Sequence, residues 1–218
     1  MAWGLGIGII AIVGVFALIA VIIFRETSTH RFWQRKVDEG DLEMITQLVQ
    51  VEVELWRTER PPKGMSAAVW QGIQGVELVE VGQDFVHAST TAEPQFALVG
   101  GSRRQVSSAL DEARRVTAKL AERFFYDIPH VRPGRVQIDC YSTFHDESGR
   151  AMQSCVMTTL AHRSAAAEVD WDNDPPEVIA EQLGARYELD PRGQPLPVEP
   201  AALGTNGARK NGLPELGG

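Results

Sequence analysis

Residues 136–160 read VQIDCYSTFHDESGRAMQSCVMTTL, two segments of alternating character joined by a polar turn. Asp146 suits the first position of a type I turn, and the glycine three residues later suits the fourth, where a left-handed residue is favoured. The stretch therefore predicts a β-hairpin with Asp146 opposite Arg150 and Cys140 opposite Val156. Because side chains alternate along a strand, this register places an apolar and a polar set on opposite faces.

The polar face of this hairpin is the first place to look for a site. Asp139, Tyr141 and His145 would line a small-molecule pocket if another element covered them, although such a face is usually solvated. Asp139 and His145 are about 20 Å apart along a strand at about 3.3 Å per residue, too far for a catalytic dyad. Cys140 and Cys155 point to opposite faces and cannot bridge, and two free thiols agree with a reducing compartment.

The sequence also predicts helices and strands on both sides of this hairpin. Ser108 and Asp111 are a capping pair before a helix over 108–125, whose apolar residues recur at helical spacing. The other predicted elements are a helix from Leu42 to Trp56, a short helix from Ser66, strands at 76–88 and 95–99 with a bulge at Gly82, a helix from Asp174 to Gly184 and a short strand at 187–190.

The order of these elements predicts the fold class. Helices and strands are segregated, which favours an α+β domain of helices packed on a mostly antiparallel sheet. Helices before the sheet, with one more after the second strand, give an order that resembles that of NTF2-like cone-shaped domains. No sequence motif accompanies that order, so the NTF2-like fold is the alternative.

Residues 1–24 carry no charged side chain, and charge begins at Arg25. At about 1.5 Å of helix per residue, roughly 23 residues reach about 34 Å, enough to cross a hydrocarbon core of about 30 Å. The segment is therefore predicted to be a transmembrane anchor, with Gly4 and Gly8 as a candidate packing site for another membrane helix. A cleaved signal peptide is disfavoured because no Lys or Arg precedes the long apolar run and no small-x-small site follows it.

Flanking charge predicts the orientation of the anchor. Arg25, Arg31, Arg35 and Lys36 all follow the apolar run. Because the cytoplasmic side of a span normally holds the excess of Lys and Arg, we expect a single-pass cell-membrane protein with its N-terminus outside and residues 25–218 in the cytoplasm.

Composition divides the remainder into three predicted parts. Residues 25–40 are expected to form a juxtamembrane helical stalk that is interrupted at Gly40, and residues 41–191 an α+β soluble domain. Residues 192–218 contain four prolines, six glycines and few apolar side chains. Such a segment buries too little apolar surface to order itself and predicts a disordered tail.

Charge predicts the kind of partner. A net charge of −8 argues against nucleic acid as a partner. Residues 103–135 are the exception, with eight basic against four acidic side chains, whereas residues 136–218 hold thirteen acidic and six basic ones. The basic side chains could pair with that acidic part or with something outside the chain. The candidate contacts for an anionic lipid or an acidic partner are Arg31, Arg35, Lys36, Arg103, Arg104, Arg114 and Arg115.

No motif supplies catalytic or cofactor chemistry. The five histidines are not spaced as metal ligands and no Cys-x-x-Cys accompanies them, so neither a metal site nor a cofactor is predicted. Residues 99–104, VGGSRR, combine glycines with two arginines before a helix, as phosphate loops do. They lack the Walker and G-x-G-x-x-G patterns, which favours a plain turn. No nucleophile stands beside a base, so catalysis is not favoured.

These observations favour a non-enzymatic, membrane-tethered module at the cytoplasmic face that docks, scaffolds or serves as an accessory subunit for a protein partner in or at the membrane. One alternative is a tethered α+β domain that binds a small ligand or acts as an enzyme. Another is an extracytoplasmic domain on an inverted anchor. The sequence names neither the partner nor a ligand.

Overall fold

The computed structural model describes residues 35–37, 39–145 and 148–200. Its helices and strands follow one another as α1 (Leu42–Thr58), α2 (Ala67–Gln74), β1 (Glu77–Val81), β2 (Phe85–Thr91), β3 (Gln95–Val99), β4 (Ser102–Ser107), α3 (Ala109–Tyr126), β5 (Arg135–His145), β6 (Ala151–His162), α4 (Arg163–Ala166), α5 (Pro176–Gln182), β7 (Ala185–Arg186), β8 (Glu188–Leu189) and β9 (Pro195–Leu196).

A five-stranded mixed sheet in the order β1-β2-β5-β6-β7 is the centre of the domain. Strands β2 and β5 run parallel, and the other three pairs are antiparallel. The parallel pair requires a long crossover, and the chain between β2 and β5 supplies it with α3. Helices packed on this mixed sheet confirm the predicted α+β class.

The helices begin where local capping chemistry allows it. The Asp41 side chain accepts from the Met44 backbone N–H at the start of α1, and Ser108 and Asp111 form the predicted capping box of α3. The helix predicted from Leu42 is also confirmed. The prediction that Asp174 caps α5 is wrong, because Pro175 holds the cap position and the Asp174 carboxylate accepts from the Asp170 backbone.

The core lies between the helices and the sheet. Helix α3 packs against β5 and β6, while α2 packs against β2 and α3. Trp56 of α1 meets Phe124 of α3 edge to face at 5.1 Å between ring centroids, and both side chains are fully buried. Gly72 allows α2 to approach closely, since its carbonyl accepts from Thr90 Oγ1 of β2 at 2.6 Å.

The β5–β6 hairpin forms as predicted, with one correction to its register. From Tyr141 onward the pairing agrees, with Tyr141 opposite Cys155, but Cys140 lies opposite Met157 rather than Val156. A bulge at this point inserts Val156 as an extra residue, so a register extrapolated from the turn is one residue out beyond it. The predicted Asp146 pairing lies outside the described residues.

Two predictions between residues 76 and 107 need correction. The segment 76–88 is two strands rather than one, because β1 turns into β2 around Gly82, whose backbone N–H donates to the Phe85 carbonyl. The predicted strand at 95–99 forms, but it pairs with β4 in a separate two-stranded sheet. The polar run of β4 gives no hydrophobic signal, which is why the strand was missed.

Two further observations concern residues near the ends of the described chain, at Gly40 and at residues 195–198. Gly40 has φ 75° and interrupts the helix at residues 35–37 before α1 begins. Pro195–Leu196 pair with Glu188–Leu189, and the Val198 backbone N–H donates to the Cys155 carbonyl at 2.8 Å. Backbone hydrogen bonds therefore connect residues 195–198, part of the segment predicted to be a disordered tail, to the rest of the described chain.

No helix within the described ranges is long and apolar enough to span a membrane. The predicted anchor, residues 1–24, and the rest of the predicted tail, residues 201–218, lie outside those ranges.

Candidate functional site

The β3–β4 hairpin is the first of two candidate sites. Its two-residue turn consists of Gly100 and Gly101, with φ values of 60° and 80°, and such a turn needs residues that adopt the left-handed region. The glycines of the VGGSRR stretch therefore close a hairpin and do not lead into a helix, since α3 begins only at Ala109. The stretch forms the turn of a β-hairpin, as the plain-turn interpretation predicts.

The hairpin exposes an unusual amount of apolar surface. Leu98 is 80% exposed and Val106 60% exposed, and Phe96 and Val99 are each nearly half exposed. A two-stranded hairpin without a packed face is marginal in water. Because side chains alternate along a strand, Phe96 and Leu98 share one face of the hairpin, whereas Val99 lies on the opposite face. Surface apolar residues are ordinary when scattered, but Phe96 and Leu98 are neighbours on one small element, an arrangement of the kind that marks an interaction surface.

Two arginines lie beside this patch. Arg103 is paired with Leu98 across the hairpin, and its guanidinium lies 4.3 Å from the centroid of the Phe96 ring. Arg104 is also exposed. Neither arginine forms an ion pair with a described residue, so both charges are available to an external group. We call Phe96, Leu98, Val99, Arg103, Arg104 and Val106 the hairpin patch.

The base of the hairpin follows the end of β2 that is opposite to the end near Gly40. Gly40 accepts at its carbonyl from Gln83 Nε2 at 2.8 Å in the turn before β2. The hairpin follows the other end of β2, whose seven residues extend about 23 Å at about 3.3 Å per residue. A partner on the hairpin patch would therefore approach the domain from the side away from residues 35–40.

The other predicted basic contacts are engaged within the domain. Arg114 stacks on the Tyr187 ring at 4.7 Å and Arg115 lies 2.7 Å from the Glu112 carboxylate. Arg35 and Lys36 both lie within 4.0 Å of Glu39. The structure thus separates Arg103 and Arg104 from the rest of the predicted set. The predicted positions Arg31, Gly4 and Gly8 lie outside the described residues.

The second candidate site is a cleft on the sheet face that β2 and β5 share. It has a volume of about 390 Å³, and the chain near Pro200 forms part of its wall. Asp139 and Tyr141 line it, as the polar-face prediction anticipated, but His145 does not. We call it the His87 cleft, and its polar lining consists of Glu77, His87, Ser89, Thr90, Thr91, Asp139, Tyr141 and Gln153.

The buried Asp139 carboxylate is the common hydrogen-bond acceptor at the base of the His87 cleft. Asp139 is 2% exposed, and its Oδ2 lies 2.7 Å from His87 Nε2. Its Oδ1 accepts from Thr158 Oγ1 at 2.6 Å, and Gln137 Nε2 donates to both oxygens at 3.2–3.3 Å. Three side chains therefore supply donors to one buried carboxylate, which satisfies its oxygens and fixes the His87 ring.

Burial sets the protonation of the neighbouring groups. Desolvation, reinforced by the Asp139 charge, raises the pKa of the Tyr141 phenol and raises the pKa of the Cys155 thiol to about 11. Burial raises the pKa of Cys140 to about 12; its Sγ lies 3.2 Å from Thr117 Oγ1 of α3. Both cysteines are free thiols. Neither has the lowered pKa of an activated nucleophile.

Sequence reasoning missed His87 as the partner of Asp139. The two are 52 residues apart, and the parallel register of β2 and β5, with His87 opposite Gln137 and Ser89 opposite Asp139, brings them together. The available signal was a single His in a segment of alternating character. Such a segment does not indicate which strand will lie beside it. Within the described ranges no three His, Cys, Asp or Glu side chains are grouped as metal ligands.

Comparison of the chain with family models, with curated proteins and with solved structures finds no match to any of the three.

Proposed function

We propose that this chain is a membrane-anchored docking protein whose soluble domain binds an acidic protein surface through the hairpin patch. The observation that carries the proposal is the exposure of Phe96 and Leu98 beside Arg103 on one face of the hairpin, with Val99, Val106 and Arg104 also exposed on this element. Neither arginine forms an ion pair with a described residue. Covering a large apolar side chain contributes about 1.5–3 kcal/mol. Phe96 and Leu98, side by side on one face, therefore give a partner apolar surface to bury.

Charge and position favour a protein over a lipid surface as the occupant. Arg103 and Arg104 complement carboxylates, which steer association and specify the partner. An anionic bilayer would offer the same attraction, but the hairpin follows the end of β2 remote from the stalk.

The anchor and its orientation are part of the same proposal. An uncharged segment at residues 1–24 followed by Arg25 and further cations supports a single-pass protein with its N-terminus outside and the domain in the cytoplasm. Two free cysteines agree with that compartment. The NTF2-like alternative for the domain remains a proposal, favoured only by the order of its helices and strands.

The docking role is tested with paired variants of the full-length chain, extracted from membranes in mild detergent and purified through an affinity tag. We expect R103E/R104E, and separately Leu98→Ser, to lose a co-purifying protein that the unaltered chain retains. The matched controls are Arg192→Glu and Leu189→Ser, which change an exposed arginine and a 46% exposed leucine elsewhere. Equal recovery with all four variants, or recovery of this chain alone, would overturn the proposal.

Orientation has its own test in sealed membrane vesicles. Protease added outside inverted vesicles should digest the domain, while right-side-out vesicles should protect it. Digestion in right-side-out vesicles only would establish the inverted anchor instead. A chain found in the soluble fraction would exclude the tether.

A further inference from the structure

The His87 cleft has features of a ligand site that a solvated sheet face lacks. It is a cavity of about 390 Å³, large enough for a small organic molecule, and the chain near Pro200 walls it on one side. A buried network lies beneath it, and the His87 side chain is only 14% exposed. An ordered imidazole at the base of a polar cavity presents a fixed hydrogen-bonding group to whatever enters.

The hydrogen-bond network also determines which ring nitrogen of a neutral His87 is available as an acceptor to a ligand. Asp139 already receives donors from Thr158 and Gln137, so its carboxylate acts as an acceptor toward His87 as well. The Nε2 atom of a neutral His87 therefore carries the proton, and this leaves Nδ1 as the acceptor of the ring. Asp139 is thus a positioning residue for an acceptor on His87.

The remaining lining is also rich in acceptors and lacks cationic partners. Among the described residues neither Lys nor Arg lines the cleft, whereas the exposed carboxylate of Glu77 does. Ser89 and Thr91 add hydroxyl oxygens, and the Tyr141 ring adds an aromatic surface that attracts a cation. An anionic ligand would meet Glu77 with no counter-charge.

We propose that the His87 cleft binds a small organic amine in its ammonium form, with Glu77 supplying the charge and His87 Nδ1 accepting an ammonium N–H. This binding function is separate from docking through the hairpin patch, which lies beyond the end of β2. An ammonium group carries three donors and no acceptor, which matches the Glu77 carboxylate, the His87 Nδ1 atom and the hydroxyl oxygens of Ser89 and Thr91.

The proposal is tested with three probes of equal length and different charge: butane-1,4-diamine, butane-1,4-diol and butanedioate. Binding to the full-length chain in detergent is measured by calorimetry and by the shifts of histidine ring signals in NMR spectra. We expect the diamine to bind and to shift the His87 signal, the diol to bind at least tenfold more weakly, and butanedioate not to bind. The proposal would be overturned if butanedioate bound as tightly as the diamine, or if the diamine did not bind.

Variants assign the binding to this cleft. Glu77→Gln, which changes an exposed side chain, should weaken diamine binding about 3- to 10-fold, and His87→Gln should weaken it further. The control is Glu43→Gln, which removes the same charge from exposed α1 surface. Thermal unfolding of each variant verifies folding, and Glu77→Gln decides the question if His87→Gln fails to fold. Unchanged diamine affinity in Glu77→Gln would contradict the assignment.

Discussion

Thr158 and Thr159 are adjacent, buried and chemically identical, yet we expect the same substitution to change stability in opposite directions. Thr158 is 1% exposed and its Oγ1 donates to Asp139 Oδ1 at 2.6 Å. Thr159 is fully buried, and its Oγ1 has no hydrogen-bond partner among the described residues. Replacing either by Val keeps the branched shape and removes the hydroxyl.

The structure sets the size of each effect. Without the Thr158 hydroxyl, Asp139 Oδ1 keeps only the long 3.3 Å bond from Gln137. Hydrogen bonds to charged groups contribute about 1.5–3 kcal/mol, and a buried acceptor that loses its donor costs a similar amount. We therefore expect Thr158→Val to lower the free energy of unfolding by about 2 kcal/mol. Thr159→Val removes a buried unsatisfied hydroxyl and should be neutral or stabilising by up to about 1 kcal/mol.

Urea unfolding of the full-length chain in detergent, followed by tryptophan fluorescence, measures both variants under one condition. The dependence of unfolding free energy on urea should be unchanged, so that the midpoints report stability directly. The doubly substituted chain should show the sum of the two effects, since only Thr158 bonds to Asp139. Equal destabilisation by the two substitutions would refute the assignment of Thr158 as the donor that Asp139 requires.

Three further predictions concern packing, capping and thiol chemistry. Gly72→Ala should cost about 1–3 kcal/mol in urea unfolding, because a Cβ there would lie 2.6 Å from Val116 Cγ2, and Val116→Ala should restore part of the loss. Ser108→Ala should cost about 1 kcal/mol by the same assay, through loss of the α3 capping box; no loss would refute the cap. Burial raises the pKa of Cys155 to about 11 and that of Cys140 to about 12, so the folded chain keeps thiol protons that the unfolded chain loses above about pH 9. Stability should therefore fall as pH rises from 9 to 11, and alkylation by iodoacetamide at pH 8 should be slow until urea unfolds the chain; rapid alkylation of the folded chain would contradict this.

The sequence predicts those elements whose signal is local. The helical spacing after Leu42 and the Ser108–Asp111 pair specify helices within a few residues, and the turn before Arg150 fixes the β5–β6 register as far as Tyr141. Beyond that point the bulge at Val156 shifts the pairing. A bulge has no local sequence signature here, because Cys155, Val156 and Met157 are all buried side chains of similar character.

Features that depend on distant pairing could not be predicted. The His87–Asp139 contact arises because β2 and β5 are parallel neighbours, which the intervening chain does not reveal. The polar face was expected to be solvated, yet Gln137 and Asp139 are almost fully buried. Candidate basic contacts could be listed from composition, but only the fold shows that Arg103 and Arg104 form no ion pair with a described residue, whereas Arg114 and Arg115 do.

A photo-crosslinking amino acid placed at Leu98 in intact membranes tests the docking role most directly. The matched position is Leu55, which is 50% exposed on α1 and lies outside the hairpin patch. We expect one discrete protein adduct from position 98, lost when R103E/R104E is added, and no such adduct from position 55. The docking role would be contradicted by adducts to lipid alone, by the same adducts from both positions, or by no adduct from position 98.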